Sequence, residues 1–178
     1  MKTPLGLQRG EVRLVKHQAI WKKVFSDEQK ILQRALEEQA ISIQHVGSTA
    51  ISTISAKPVV DIIVGISRLK NVQSKIPALK KLGYSHIKRF PNPRLQIVLA
   101  KGKKQQTEIY LHLVRYEGAI WNNYIFFRDY LLEHTDVALA YNKLKLQLAQ
   151  KYSSERMKYT ESKAIFVHNI LAKSKYRN

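Results

Sequence analysis

The apolar positions of this chain follow two different periods, and the change of period divides it. Ile41 to Val46 and Val59 to Ile66 are short, apolar and bounded by turn residues, the pattern of strands. Three more strand-like runs follow: Tyr84 to Phe90, Arg94 to Ala100 and Gln106 to Val114, separated by Pro91-Asn92-Pro93 and Lys101-Gly102-Lys103. In the last run Glu108, Tyr110 and His112 share one face, and Ile109, Leu111 and Leu113 the other. Glu11 to Val15 reads as a first short strand or extended arm. Elsewhere the period is helical. Ile31, Leu32, Ala35 and Leu36 mark a helix over Ser26 to Gln39, with Ser26-Asp27-Glu28-Gln29 as a capping box and Phe25 as its staple. Leu69 to Leu82 is a second helix, starting near Ser74 with Pro77 in its first turn and ending at Gly83. Gly118 to His134, a segment from Thr135-Asp136 through Leu148, and a last helix capped by Thr160 complete the chain. Trp21, Trp121 and Phe127 are expected in the core. The order predicts an α+β fold: a mixed β-sheet core with flanking helices and a C-terminal helical segment. One domain over 1–178 is expected, with the α+β core over about 11–115 and the helices over about 118–174.

Composition adds a partner class. With 44% hydrophobic residues in 178 the chain can bury a real core. No apolar run reaches the roughly 20 residues that cross a bilayer, so no membrane is expected. Met1 to Gly6 has no apolar signal core, and there is no cysteine. Both fit a cytoplasmic protein without disulfides or thiolate metal sites. The charge is lopsided: 31 Lys and Arg against 13 Asp and Glu, a net +18. Between Ile62 and Thr107 there are eleven basic residues and no acidic one: Arg68, Lys70, Lys75, Lys80, Lys81, Lys88, Arg89, Arg94, Lys101, Lys103 and Lys104. Such a field attracts RNA, DNA or nucleotides, and equally reads as a solvated basic surface.

The chemistry centres on residues 45–64. Gly47-Ser48-Thr49 breaks one strand with a turn rich in hydroxyls and backbone N–H groups, an anion cradle or simply a helix cap. Asp61 is the only charge of the next strand. A carboxylate there requires a partner or a metal.

His45-Val46-Gly47-Ser48-Thr49-Ala50 followed by Ala56-Lys57-Pro58-Val59-Val60-Asp61-Ile62-Ile63-Val64 resembles the core of the GrpB family. Val12 to Val15 with Trp21, Leu111-His112-Leu113-Val114, Trp121 with Phe127-Arg128-Asp129-Tyr130-Leu131, Tyr141 to Lys145 and Tyr159 to Lys163 resemble its other motifs, in order. The likeness covers about Val12 to Ala172. The chain departs from the family pattern at Lys16-His17-Gln18, at Ile51 to Ile54 and at Tyr110, where a second histidine is usual.

That family resembles the DNA polymerase beta-type nucleotidyltransferases, and the resemblance implies a function. A metal-dependent nucleotidyltransferase would move a nucleotidyl group from a nucleoside triphosphate to an unknown acceptor. Gly47, Ser48, Thr49, Lys57 and Arg128 would hold phosphates. Asp61 and Glu108, with His45 and His112 as further candidates, would hold Mg²⁺ or Mn²⁺. Asp61 and His112 would be the catalytic pair, His112 deprotonating the acceptor. The superfamily's Asp-x-Asp pair is absent, since Val59 and Ile63 flank Asp61 at that spacing. Tyr159 and Lys163 share a helix face and could close the cleft from the tail. The alternatives are a non-catalytic module that binds RNA or nucleotides through its basic surface, and an interaction protein that uses its helical tail.

Overall fold

A computed structural model describes residues 5–8, 10–87, 95–103 and 105–176. Of the basic stretch, Lys88, Arg89, Arg94 and Lys104 lie outside the described residues, as does the turn Pro91-Asn92-Pro93. The strands are β1 (Leu7–Gln8), β2 (Ser42–Val46), β3 (Val60–Ile66), β4 (Tyr84–His86), β5 (Gln96–Lys101), β6 (Gln106–Thr107) and β7 (Ile109–Arg115). β1 and β6 form a small antiparallel ribbon. The other five make a mixed sheet in the order β2-β3-β7-β5-β4, with β3 and β7 parallel and the other neighbours antiparallel.

The period-2 pattern separates two sheet faces. Ile43, Val60, Ile62, Val64, Ile66, Leu111 and Leu113 turn to one side and are buried against α1 (Ile20–Leu36) and α2 (Ile76–Lys81). Val46, Ile63 and Val114 turn to the other and meet Trp121 of α3 (Ala119–Glu133). Helices also cover this second face, which is why β3 reads as an almost unbroken apolar run. Each large aliphatic side chain buried this way contributes about 1.5–3 kcal/mol. α4 (Thr135–Lys151), α5 (Arg156–Glu161) and α6 (Ala164–Ala172) extend the helical layer, with Leu131, Ala138 and Tyr141 packed on Ile51 and Ile54 of the loop before β3.

Three boundaries differ from expectation. The first helix begins at Ile20, six residues before the proposed capping box. The buried stripe Trp21, Glu28, Leu32 and Leu36 carries the helical period upstream, and Asp27 pairs with Lys23 at 2.7 Å instead of capping. The first strand lies at Leu7–Gln8, and Val15 makes only an isolated bridge to Ala56. Thr160 is inside α5, its hydroxyl donating to the Arg156 carbonyl at 2.9 Å, so it caps nothing. Pro77 does stand in the first turn of its helix.

One buried polar knot ties the layers. Glu28 of α1 is 6% exposed, accepts the Tyr84 hydroxyl at 2.9 Å, and accepts Lys101 Nζ on both oxygens at 2.8 and 2.9 Å. Lys75 donates to Glu37 at 2.8 Å in an exposed pair, which contributes little. The basic stretch therefore commits Lys101 to the fold.

Candidate anion-binding site

β2 ends at Val46, and the chain must reverse beside β3. Gly47 makes that reversal at φ +71°, ψ −172°, a region essentially restricted to glycine. A Cβ there would lie 2.6 Å from Asp61 Oδ2 and 3.2 Å from Asp61 Cβ. The turn thus packs its bare backbone on the Asp61 carboxylate and delivers Ser48 and Thr49 in a short 3₁₀ turn, Ser48–Ala50. Gly47→Ala is expected to cost about 1–3 kcal/mol from backbone strain alone. It should also displace Asp61. Thermal unfolding reads the first effect and ligand titration the second.

The turn forms one wall of a cleft of about 410 Å³ between the second sheet face and the C-terminal helices. Gly47, Ser48, Thr49, Lys57, Val59, Asp61 and Tyr110 line it from the sheet side. Tyr124 and Phe127 of α3, Tyr141 and Lys145 of α4, Tyr159 of α5, and Lys163 line it from the helices. Three lysines thus face a lining whose single acidic member is Asp61.

Lys145 is the deepest of these, 1% exposed. Its Nζ donates to Ser48 Oγ at 3.1 Å and to the Ser55 carbonyl, and sits 5.0 Å from the Tyr141 ring centroid. Burial, with a smaller push from Lys163, lowers its pKa to about 7. Lys163 Nζ lies 4.3 Å from the Tyr159 ring centroid. Burial brings it to about 8, Asp61 pulling it up and Arg156 pushing it down. Burial also raises the Tyr141 and Tyr159 hydroxyls well above their usual range, so both stay neutral donors. Lys57 Nζ also lies over the Tyr159 ring, 5.6 Å from its centroid.

The sequence-predicted residues divide. Gly47, Ser48, Thr49, Lys57 and Asp61 meet in this cleft, and Tyr159 and Lys163 close it from the tail. Four others stand elsewhere. His45 alternates to the opposite sheet face, stacks on Phe25 and bonds Thr49 Oγ1 at 2.9 Å. Burial lowers its pKa to about 4. Arg128 commits its guanidinium to Gln44 Oε1 and the His45 carbonyl, both at 3.0 Å, and to Asp129 at 2.7 Å. It pins α3 to β2 and does not line the cleft. Glu108 precedes β7 and is displaced one same-face step from Tyr110, the residue in register with Asp61. His112, 4% exposed, lies behind Asp61 with Nε2 3.8 Å from Oδ1, beyond hydrogen-bond length, and packs near Tyr124.

These positions do not fit the implied Mg²⁺ or Mn²⁺ site. Among the described residues no three His, Asp or Glu side chains gather closely enough to hold an ion. What the cleft does gather is one carboxylate, Asp61, among three lysines, Lys57, Lys145 and Lys163. Sequence reasoning missed Lys145 as a site residue, although it belongs to the Tyr141 to Lys145 motif.

The comparisons with known proteins agree with this architecture. The GrpB protein family matches residues 11–173. Glutamate-rich protein GrpB of Alkalihalophilus pseudofirmus is 42% identical over 94% of this chain and 98% of its own length. A UPF0157 protein of Pseudomonas aeruginosa is 31% identical over 86% of this chain and 64% of its own length. The crystal structure of conserved protein GrpB from Enterococcus faecalis superposes with a TM-score of 0.84 at 26% identity, covering 93% of this chain and all of that one. The chain belongs to the GrpB family.

Proposed function

We propose that the cleft binds a nucleotide through its phosphate groups, without a preformed metal site. The observation that carries the reading is the convergence of Lys57, Lys145, Lys163 and the Ser48 hydroxyl on one concave surface with a single acidic lining residue. Lysines are point-charge phosphate ligands, and the Ser48 hydroxyl and the Tyr141 and Tyr159 phenols add directional donors. Tyr124, Phe127 and Ile120 supply an apolar and aromatic wall suited to a base or sugar. Asp61 balances the lysines and is free in chemistry to accept a ligand hydroxyl.

The resemblance of the family's core motifs to those of nucleotidyltransferases favours the same ligand class. Transfer of a nucleotidyl group to an acceptor needs more than the described residues of the cleft offer, because among them the second and third carboxylates of the two-metal scheme have no counterpart beside Asp61. The reading adopted is therefore a nucleotide-binding module.

Calorimetric titration of adenosine, AMP, ADP and ATP tests it, with and without Mg²⁺, on wild type, Lys163→Met and Asp61→Ala. Affinity is expected to climb with phosphate number and to fall about tenfold or more in Lys163→Met. Affinity indifferent to phosphate and to Lys163 overturns the reading. Binding that demands Mg²⁺ and disappears in Asp61→Ala restores the metal-dependent transferase instead.

A further inference from the structure

Arg156 opens α5 and stands just outside the cleft lining. It is 6% exposed, and its Nε and Nη2 are buried with no hydrogen-bond partner among the described residues. The guanidinium carbon sits 5.4 Å from the centroid of the Tyr110 ring, which lines the cleft. Tyr159 lies one turn after Arg156 on α5, Lys163 follows in the turn between α5 and α6, and the latter two also line the cleft.

A guanidinium cannot shed its proton to escape burial, so its unpaired donors cost stability in full. Tyr110 offers a stacking face and nothing for the N–H fork. A methionine in the same volume would pack without the penalty. Folding alone thus gives no reason for arginine at this position, whereas an oxyanion satisfies the two orphaned donors together.

We propose that Arg156, with Lys163, forms a second anion subsite on the Tyr110–Tyr159 wall, separate from the Ser48–Lys145 cradle. The ligand set of this cleft then carries at least two anionic groups apart from one another. This rests on the nucleotide reading and sharpens it. The second oxyanion is either the terminal phosphate of the same nucleotide or the acidic group of a separate co-substrate.

The test titrates pyrophosphate, AMP and ATP into wild type, Arg156→Met and Arg156→Lys, and follows thermal unfolding of each unliganded protein. Unliganded Arg156→Met is expected to melt at or above the wild-type temperature. Its affinity for pyrophosphate should fall about tenfold or more, and its affinity for ATP should fall likewise where the second oxyanion is the terminal phosphate. Arg156→Lys, which keeps the charge and loses the fork, recovers only part of this and serves if the methionine variant does not fold. AMP affinity left intact assigns the subsite to the terminal phosphate. An unchanged ATP to AMP ratio, with loss of pyrophosphate binding to the AMP-saturated protein, assigns it to a separate anion. A destabilised Arg156→Met with wild-type affinities overturns the subsite and leaves the nucleotide reading standing. Arg156-dependent pyrophosphate binding without nucleotide binding does the reverse, and a wild type that binds neither removes both.

Discussion

Glu28→Ala is expected to destabilise the fold by about 3 kcal/mol, the low end for breaking a buried ion pair. Glu28 is 8% exposed in its side chain and Lys101 26%, so water relieves part of the loss on the lysine side. Removing the carboxylate orphans two donors at once, the Tyr84 hydroxyl and the Lys101 ammonium. It also leaves a cavity between α1 and the β4–β5 edge of the sheet. Urea unfolding at neutral pH reads the effect as a lower midpoint with an unchanged slope. Because the knot lies on the α1 face of the sheet and the cleft on the other, the folded fraction should bind ligand as wild type does. Glu28→Gln separates the causes. It keeps the volume and an acceptor but loses the charge, so a much smaller loss would assign most of the effect to the cavity and the orphaned hydroxyl. A loss below about 1 kcal/mol in Glu28→Ala would mean that the knot is worth no more than a surface pair.

The sheet was legible because its signal is local. Alternation over β7 and the apolar runs around the Gly47 turn depend on neighbours two residues apart, and the pleat sorts them into faces without further information. Gly47, Ser48 and Asp61 were legible for a related reason: the two strands that carry them are hydrogen-bonded neighbours, Val46 in register with Asp61. His45 failed on the same rule. One residue from Val46 in sequence, it belongs to the other face, and grouping it with Asp61 ignored the alternation. Arg128 and Glu108 failed because their outcome depends on partners distant in the chain. The carbonyl of His45 and the side chain of Gln44 claim the Arg128 guanidinium, 83 and 84 residues away. Lys145 was hidden for the converse reason. In α4 it is one of several lysines on a helix that reads as amphipathic, and only the packing of that helix over the Ser48 turn buries it. Arg156 gave no signal in sequence, since nothing local distinguishes a buried guanidinium from the solvated ones around it.

Lys145→Met should reduce affinity for ATP by about 10- to 100-fold, the range of a lost charge-assisted hydrogen bond, without loss of folding. The unliganded variant is expected to be at least as stable as wild type near neutral pH, because a buried ammonium is replaced by an apolar side chain of similar length. The pH dependence gives an independent readout. Folded Lys145 and Lys163 titrate near 7 and 8, while an unfolded lysine titrates near 10.4. Between those values the unfolded chain holds protons that the folded chain has released, so the stability of the unliganded protein should rise from about pH 7 to about pH 10. Below pH 7 both states carry the protons and this slope vanishes. Ligand affinity should run the opposite way. A phosphate favours the ammonium form of each lysine, so binding at pH 8 must draw protons in, whereas at pH 6 the lysines are already charged. Titrations at pH 8 in two buffers of different ionisation enthalpy should therefore differ in apparent heat, and those at pH 6 should agree, once the ligand's own titration is matched. In Lys145→Met the proton uptake at pH 8 should shrink to the share of Lys163. Uptake that persists in full would mean that Lys145 does not contact the anion. The cleft would then bind phosphate through Lys57 and Lys163 alone, and the 3.1 Å bond from Lys145 to Ser48 would serve only to hold the turn.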